Sequence, residues 1–147
     1  MKLSTRIRFA LRIMIQVAGD TSGKPVLSRN VASAQDISEP YVDQILLPLR
    51  SRGLLASVRG RSGGYRLARP AKEITLLDIV QAMEGNVQLA DCLSDTKECK
   101  RATKCVTRDV WAMLTESLKR DMNSVILADL VVKQAKLQTT HSGDYTI

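Results

Sequence analysis

Apolar positions recur with a helical period from the very start of the chain. Leu3, Ile7, Ala10, Leu11, Met14, Ile15 and Ala18 fall on one face, with Arg6, Arg8 and Arg12 mostly off it. Gly19 and the following TSGKP end that helix. A shorter stretch, NVASAQD, follows Ser28 and offers Val31, Ala32 and Ala34 for packing. Ser38 has the chemistry of an N-cap, and Glu39 and Pro40 suit a first helical turn. Tyr41, Val42, Ile45, Leu46 and Leu49 carry this helix to about Arg52, where Gly53 stops it. Pro48 lies inside it and predicts one missing backbone bond and a bend.

The pattern then changes. LLASV and YRLAR are short strand-like runs flanking RGRSGG, which predicts a hairpin with a glycine-rich, basic turn. Thr75 heads LLDIVQAMEG, a helix ended by Gly85. Beyond a cysteine-bearing loop, a long amphipathic helix begins near Val106 and carries Val110, Met113, Leu114, Leu118 and Met122. Asn123 or Ser124 restarts a final helix, VILADLVVKQ, and a polar tail begins at Gln138. Two short helices followed by a basic hairpin make a helix-turn-helix with a wing, whose second helix can enter the DNA major groove. The predicted fold is mainly α: a winged helix-turn-helix with a small β-hairpin wing and a long C-terminal helix.

Composition narrows the class. At 147 residues the chain fits one compact domain. It holds no run of about 18 apolar residues, so no membrane span and no membrane partner are expected. Arg6, Arg8 and Arg12 break up what would otherwise pass for a signal peptide, which points to a cytoplasmic protein. Three cysteines, an odd number, argue against a secreted disulfide framework and for reduced thiols. The net charge of +7 is uneven: residues 1–70 carry +8 and residues 71–147 carry −1. A basic N-terminal half suggests a polyanionic partner, although a merely soluble basic surface would have the same charge. No nucleotide-binding glycine motif, nucleophile triad or catalytic carboxylate pair stands out, so no enzyme is expected.

The helix SEPYVDQILLPLRSRG offers Tyr41, Asp43, Gln44 and Arg50. Glutamine can bond an adenine edge bidentately and aspartate can accept from cytosine, while Tyr41 and Ser38 suit phosphates. The alternative is a set of ordinary solvated helix positions. Arg59 and Arg61, at the tip of the hairpin SVRGRSGGYR, suit a narrow and electronegative minor groove.

The cysteines lie together as C-x6-C-x5-C at Cys92, Cys99 and Cys105. Thiolates bind soft metals and iron–sulfur clusters, but this spacing is not a zinc-finger pattern. Lys97, Lys100, Arg101 and Lys104 would lower thiol pKa and offset an anionic cluster. The same cations would equally suit reactive thiols that hold no metal.

Four segments together are specific. MKLSTRIRFALRIM, ISEPYVDQILLPLRSRGLLASVRGRSGGYRLAR, ITLLDIVQAMEG and the cysteine triplet followed by VTRDVWAML resemble the IscR family of bacterial repressors, the Rrf-two superfamily, across residues 1–135. The resemblance implies a homodimeric transcription regulator that binds promoter double-stranded DNA, with long C-terminal dimerisation helices crossing between protomers. It divides the chain into a DNA-binding domain (1–84), a cysteine loop (85–105), dimerisation helices (106–137) and a flexible tail (138–147). Tyr41, Asp43, Gln44 and Arg59 match the family's DNA contacts. Cys92, Cys99 and Cys105 match its ligands for an iron–sulfur cluster, 2Fe–2S ahead of 4Fe–4S, that reports iron, cluster or redox status.

This chain also departs from the family. One branch has a histidine three residues after the last cysteine, where Arg108 stands here; another takes an N-terminal aspartate, where Arg8 stands. A guanidinium stays protonated and has no lone pair to donate. The fourth ligand is therefore open among Asp91, Glu98, Asp109, His141, a small thiol and water. Pro40 and Pro48 replace small polar residues common in relatives, which implies a different operator preference. Two alternatives stand beside the cluster reading: a cluster-free thiol-redox regulator, and a regulator acting through a protein partner in cysteine metabolism.

Overall fold

In the computed structural model, residues 2–95, 97 and 99–142 are described, with only the backbone for 141–142. Helix α1 (Thr5–Gly19) starts at Ser4, whose hydroxyl accepts the Ile7 N–H at 3.2 Å. It buries Ile7, Ala10, Ile13, Met14 and Val17. That set differs from the predicted face: Leu3 is exposed, and Leu11, Ile15 and Ala18 are half-buried. The reason is position, because later helices cover α1 on more than one side and bury a wider stripe than a surface helix needs.

Helix α2 (Ser28–Gln35) begins one residue earlier than a Ser28 cap would allow: Leu27 is the cap residue. Ser28 instead donates its hydroxyl to Glu39 at 2.9 Å, tying α2 to the start of the next helix. Asp36 takes a left-handed conformation (φ 54°) and its N–H closes α2 onto the Ala32 and Ser33 carbonyls. Aspartate tolerates this region better than most residues, and it makes the turn tight. Helix α3 (Glu39–Ser51) has Ser38 as its cap, proline in its first turn and Pro48 inside it. Val42, Ile45, Leu46 and Leu49 bury one face completely.

Strands β1 (Leu55–Val58) and β2 (Gly64–Leu67) pair antiparallel, from Leu55 opposite Leu67 to Val58 opposite Gly64. The hairpin is fixed to the body by Val26, which exchanges two 2.8 Å backbone bonds with Tyr65. Gly64 is required there. Its φ is 146°, and a Cβ would stand 2.6 Å from the Val26 carbonyl oxygen.

Helix α4 (Leu76–Glu84) opens with a capping box. The Thr75 N–H donates to the Asp78 carboxylate at 2.9 Å, and the Asp78 N–H donates to the Thr75 hydroxyl at 3.2 Å. Arg69 pairs with the same carboxylate at 2.9 Å, tying the wing's exit to α4. Helix α5 (Val106–Ser124) follows the cysteine loop, and α6 (Leu127–Ser142) completes the described chain.

The break between α5 and α6 falls at Val125–Ile126, not at Asn123 or Ser124. The Leu76 N–H donates to the Val125 carbonyl and the Leu127 N–H to the Ile74 carbonyl, each at 2.9 Å. These β-branched residues are thus drawn into an extended bridge with the chain ahead of α4. Helix α6 packs back on α1 and continues through Gln138, where the sequence suggested a polar tail. Residues 143–147 of that tail lie outside the described residues. Met122 and Leu127 share one core with α1, α3 and α4, so the N-terminal helices and the C-terminal pair are not packed as independent units.

Candidate nucleic-acid interface and cysteine loop

The helix pair and the wing present one polar surface. Along α3, Pro40, Asp43, Gln44, Leu47 and Arg50 are exposed, opposite the buried face. Ser38 is exposed, but its oxygen already accepts the Tyr41 N–H at 3.4 Å, so it is first of all a cap. Its hydroxyl proton is still free to meet a phosphate. Tyr41 is half-buried and meets Phe9 of α1 edge-on, ring centres 5.8 Å apart. Arg12 lies over the same Phe9 ring at 5.2 Å. The two aromatic rings thus lock the first turn of α3 to α1. Arg50 reaches the Ser57 hydroxyl of β1 at 3.5 Å, a long contact that leans it toward the wing.

At the wing tip Arg59 and Arg61 are exposed, and neither makes an ion pair among the described residues. Gly60 (φ 107°) turns the chain between them, and the Gly63 N–H closes the turn onto the Gly60 carbonyl at 3.0 Å. Unpaired arginines on a glycine turn suit phosphate or minor-groove contact.

The cysteine loop joins α4 to α5, and its first half is bonded to α5 at two points. The Leu89 N–H donates to the hydroxyl of Thr115, the buried polar residue of α5, at 3.2 Å. Arg108 Nε donates to the Cys92 carbonyl, also at 3.2 Å. Cys105 is itself the residue that caps α5. Its sulfur lies 3.1 Å from the Thr107 hydroxyl. That bond, helped by the Arg108 backbone N–H, holds the Cys105 thiol below the ordinary cysteine range. All three cysteines are free and partly exposed. Among the described residues, no three His, Cys, Asp or Glu side chains stand close enough together to hold one metal ion.

A family model described as an iron-dependent transcriptional regulator, Rrf2, matches residues 3–133. The chain belongs to the Rrf2 family. It is 31% identical to the transcriptional regulator IscR of Vibrio parahaemolyticus, over 98% of this chain and 85% of that protein. The structure of T. potens IscR superposes with a TM-score of 0.75 at 31% identity, covering 94% of this chain and 91% of that one. The structure of CymR, the global cysteine regulator of Bacillus subtilis, superposes at 0.73 and 32% identity, covering 90% and 98%. As an Rrf2 protein the chain is a DNA-binding transcription regulator with a winged-helix fold, and not an enzyme.

The fold places Ser38, Tyr41, Asp43 and Gln44 on or beside one exposed edge of α3, and Arg59 and Arg61 on the wing. Cys92, Cys99 and Cys105 share a loop without sharing a closed site. Among the residues considered for a fourth ligand, Asp91 and Asp109 are exposed, whereas Glu98 and the His141 side chain lie outside the described residues. Arg8 is exposed on α1, and Arg108 is occupied with the Cys92 carbonyl. Sequence reasoning missed three residues here: Thr107, Thr115 and Leu47. The first two bond atoms of a loop whose path local pattern does not reveal. Leu47 could have been found, because a helical wheel centred on the buried Val42, Ile45, Leu46 and Leu49 puts it on the opposite face.

Proposed function

We propose that this chain is a homodimeric transcription regulator whose promoter binding depends on an iron–sulfur cluster held by Cys92, Cys99 and Cys105. The observation that carries the reading is a loop with three free thiols, bonded to α5 at Leu89 and Cys92 and running into α5 at Cys105. The donor set fits in type: three thiols in one loop, with Lys97, Lys100, Arg101 and Lys104 in the same segment. Bringing the sulfurs together requires the loop to close, since they are not yet gathered. When bound, the cluster supplies an iron- and redox-sensitive link between three points of the loop. Leu89, Cys92 and Cys105 pass any change in the loop to α5, and α4 packs between α5 and α3. The outcome is a shift in how α3 and the wing meet DNA.

Dimerisation is supported by α5. Val106, Val110, Met113 and Leu114 are exposed along its first half, with Val106 at 79%. These positions follow helical spacing and form an apolar stripe that a second copy of the helix would cover. Promoter contact is assigned to Tyr41, Asp43, Gln44, Arg59 and Arg61, with Ser38 as a phosphate contact. On this reading the domain division stands as a division of labour: 1–84 for DNA, 85–105 for sensing and 106–137 for pairing.

The test is anaerobic purification followed by iron and sulfide analysis, absorption and Mössbauer spectroscopy. About two or four irons with matching sulfide, lost in C92A, C99A and C105A variants, supports the proposal. A metal-free wild-type protein that still binds promoter DNA overturns it. That result would favour a cluster-free thiol switch. The observation behind this second reading is the Thr107 hydroxyl 3.1 Å from the Cys105 sulfur, a contact that lowers the thiol's pKa.

A further inference from the structure

The exposed edge of α3 carries one residue that hydrogen bonding does not explain. Leu47 is 57% exposed. Between Leu3 and Val106 it is the one large apolar side chain in that state among the described residues. It lies three residues after Gln44, four after Asp43 and three before Arg50, so all four share one face. The other face is fully used, with Val42, Ile45, Leu46 and Leu49 at zero exposure. Leu47 is therefore not a core residue displaced outward. The next polar group along the edge is engaged as well, since the Ser51 hydroxyl donates to the Leu47 carbonyl at 2.9 Å.

A lone exposed leucine on an arbitrary surface would carry no information. Here it stands in the middle of the helix edge assigned to DNA in the proposed function. A leucine flanked by Asp43, Gln44 and Arg50 is too small an apolar spot to seat a protein, in contrast to the stripe on α5. In the major groove the edge of each base pair is polar, except for one group: the C5 methyl of thymine.

We propose that Leu47 reads a thymine methyl in each operator half-site, beside the bases contacted by Gln44 and Asp43. This rests on the assignment of α3 as the DNA-reading helix. Leu47 has no polar group to exchange with a base, so its discrimination is of thymine against cytosine or uracil at one position. It needs no hydrogen bond and adds nothing to non-specific, phosphate-driven binding.

The experiment begins by selecting duplexes from a random pool with the full-length wild-type protein. Each thymine of the selected half-site is then replaced in turn by deoxyuridine, which removes only the methyl. Affinity is measured for wild type and for Leu47→Ala, an exposed substitution that a helix accepts. One position per half-site should cost wild type about fourfold, the weight of one buried methyl-sized group. The same replacement should cost Leu47→Ala nothing, and this variant should bind the thymine duplex about as weakly as wild type binds the deoxyuridine one. The proposal is overturned if no replacement weakens wild type, or if one weakens both proteins equally. Failure to select any duplex would bring down the DNA-reading assignment of α3 itself, and Leu47 with it. A Leu47→Ser variant with unchanged circular dichroism repeats the comparison with a polar side chain.

Discussion

Helices α3 and α5 are both amphipathic, yet they leave opposite surfaces open. In α3 the apolar face is sealed in the core, and the open face is polar apart from Pro40 in the first turn and Leu47. In α5 the buried residues are only Thr115 and Met122, and the open face is Val106, Val110, Met113 and Leu114. A finished core with a polar outer edge fits a hydrated polyanion, whose contacts are hydrogen bonds and phosphates. An unfinished apolar stripe fits another protein surface, which gains by removing it from water. On the proposed function, the difference separates reading from pairing within one chain.

The largest effect should come from placing a charge on the α5 stripe. Met113→Asp buries an unpaired carboxylate in any paired state, so self-association should fall by roughly a hundredfold or more. Sedimentation at micromolar protein checks this, and unchanged association would move the partner surface elsewhere. Next is the sealed face of α3. Leu46→Ala should cost about 2–5 kcal/mol of folding stability, read by chemical denaturation, because a fully buried side chain leaves a cavity. The same change at Leu47 should leave stability nearly unmoved, which makes the pair a direct check of the two faces.

Smaller again are the DNA contacts. Gln44→Ala should weaken operator binding by about 1–3 kcal/mol and relax the preference at one base. Arg59→Ala should instead weaken most the sequences with a narrow minor groove and lower the salt slope by about one, seen in titrations at several ionic strengths. The smallest effect lies at Cys105. Its thiol pKa is lowered chiefly by the Thr107 hydroxyl, so the thiolate fraction near neutral pH is raised. Thr107→Val removes that bond, and the pKa should rise. Alkylation of Cys105 in metal-free C92S/C99S protein should then shift to higher pH; an unmoved profile would show that the helix start alone activates the thiol.

Much of the architecture was legible in advance. Ser38 with Glu39 and Pro40 announced α3, Thr75 announced α4, and the run from LLASV through YRLAR announced the wing, because caps and turns act within a few residues. The gathering of Tyr41, Asp43 and Gln44 on one helix, and of Arg59 and Arg61 on one turn, followed from the same local rules. The Val26–Tyr65 stitch, the bridge between Thr75 and Ile126 and the return of α6 onto α1 were not legible. Each joins segments far apart in the chain, and hydrophobic period says that a face is buried without saying against what.

The sequence by itself determined the kinds of element, the basic N-terminal half and the presence of three thiols in one loop. Tertiary structure alone decided that Arg108 holds the Cys92 carbonyl, and the turn into α5 sets the Thr107 hydroxyl 3.1 Å from the Cys105 sulfur. Tertiary structure also decided that α1 is covered on several sides, and that α5 keeps an open apolar stripe while α3 does not. The reason is physical. Propensity and capping are settled by neighbours along the chain, whereas burial, bond partners and open surface depend on which distant segments arrive.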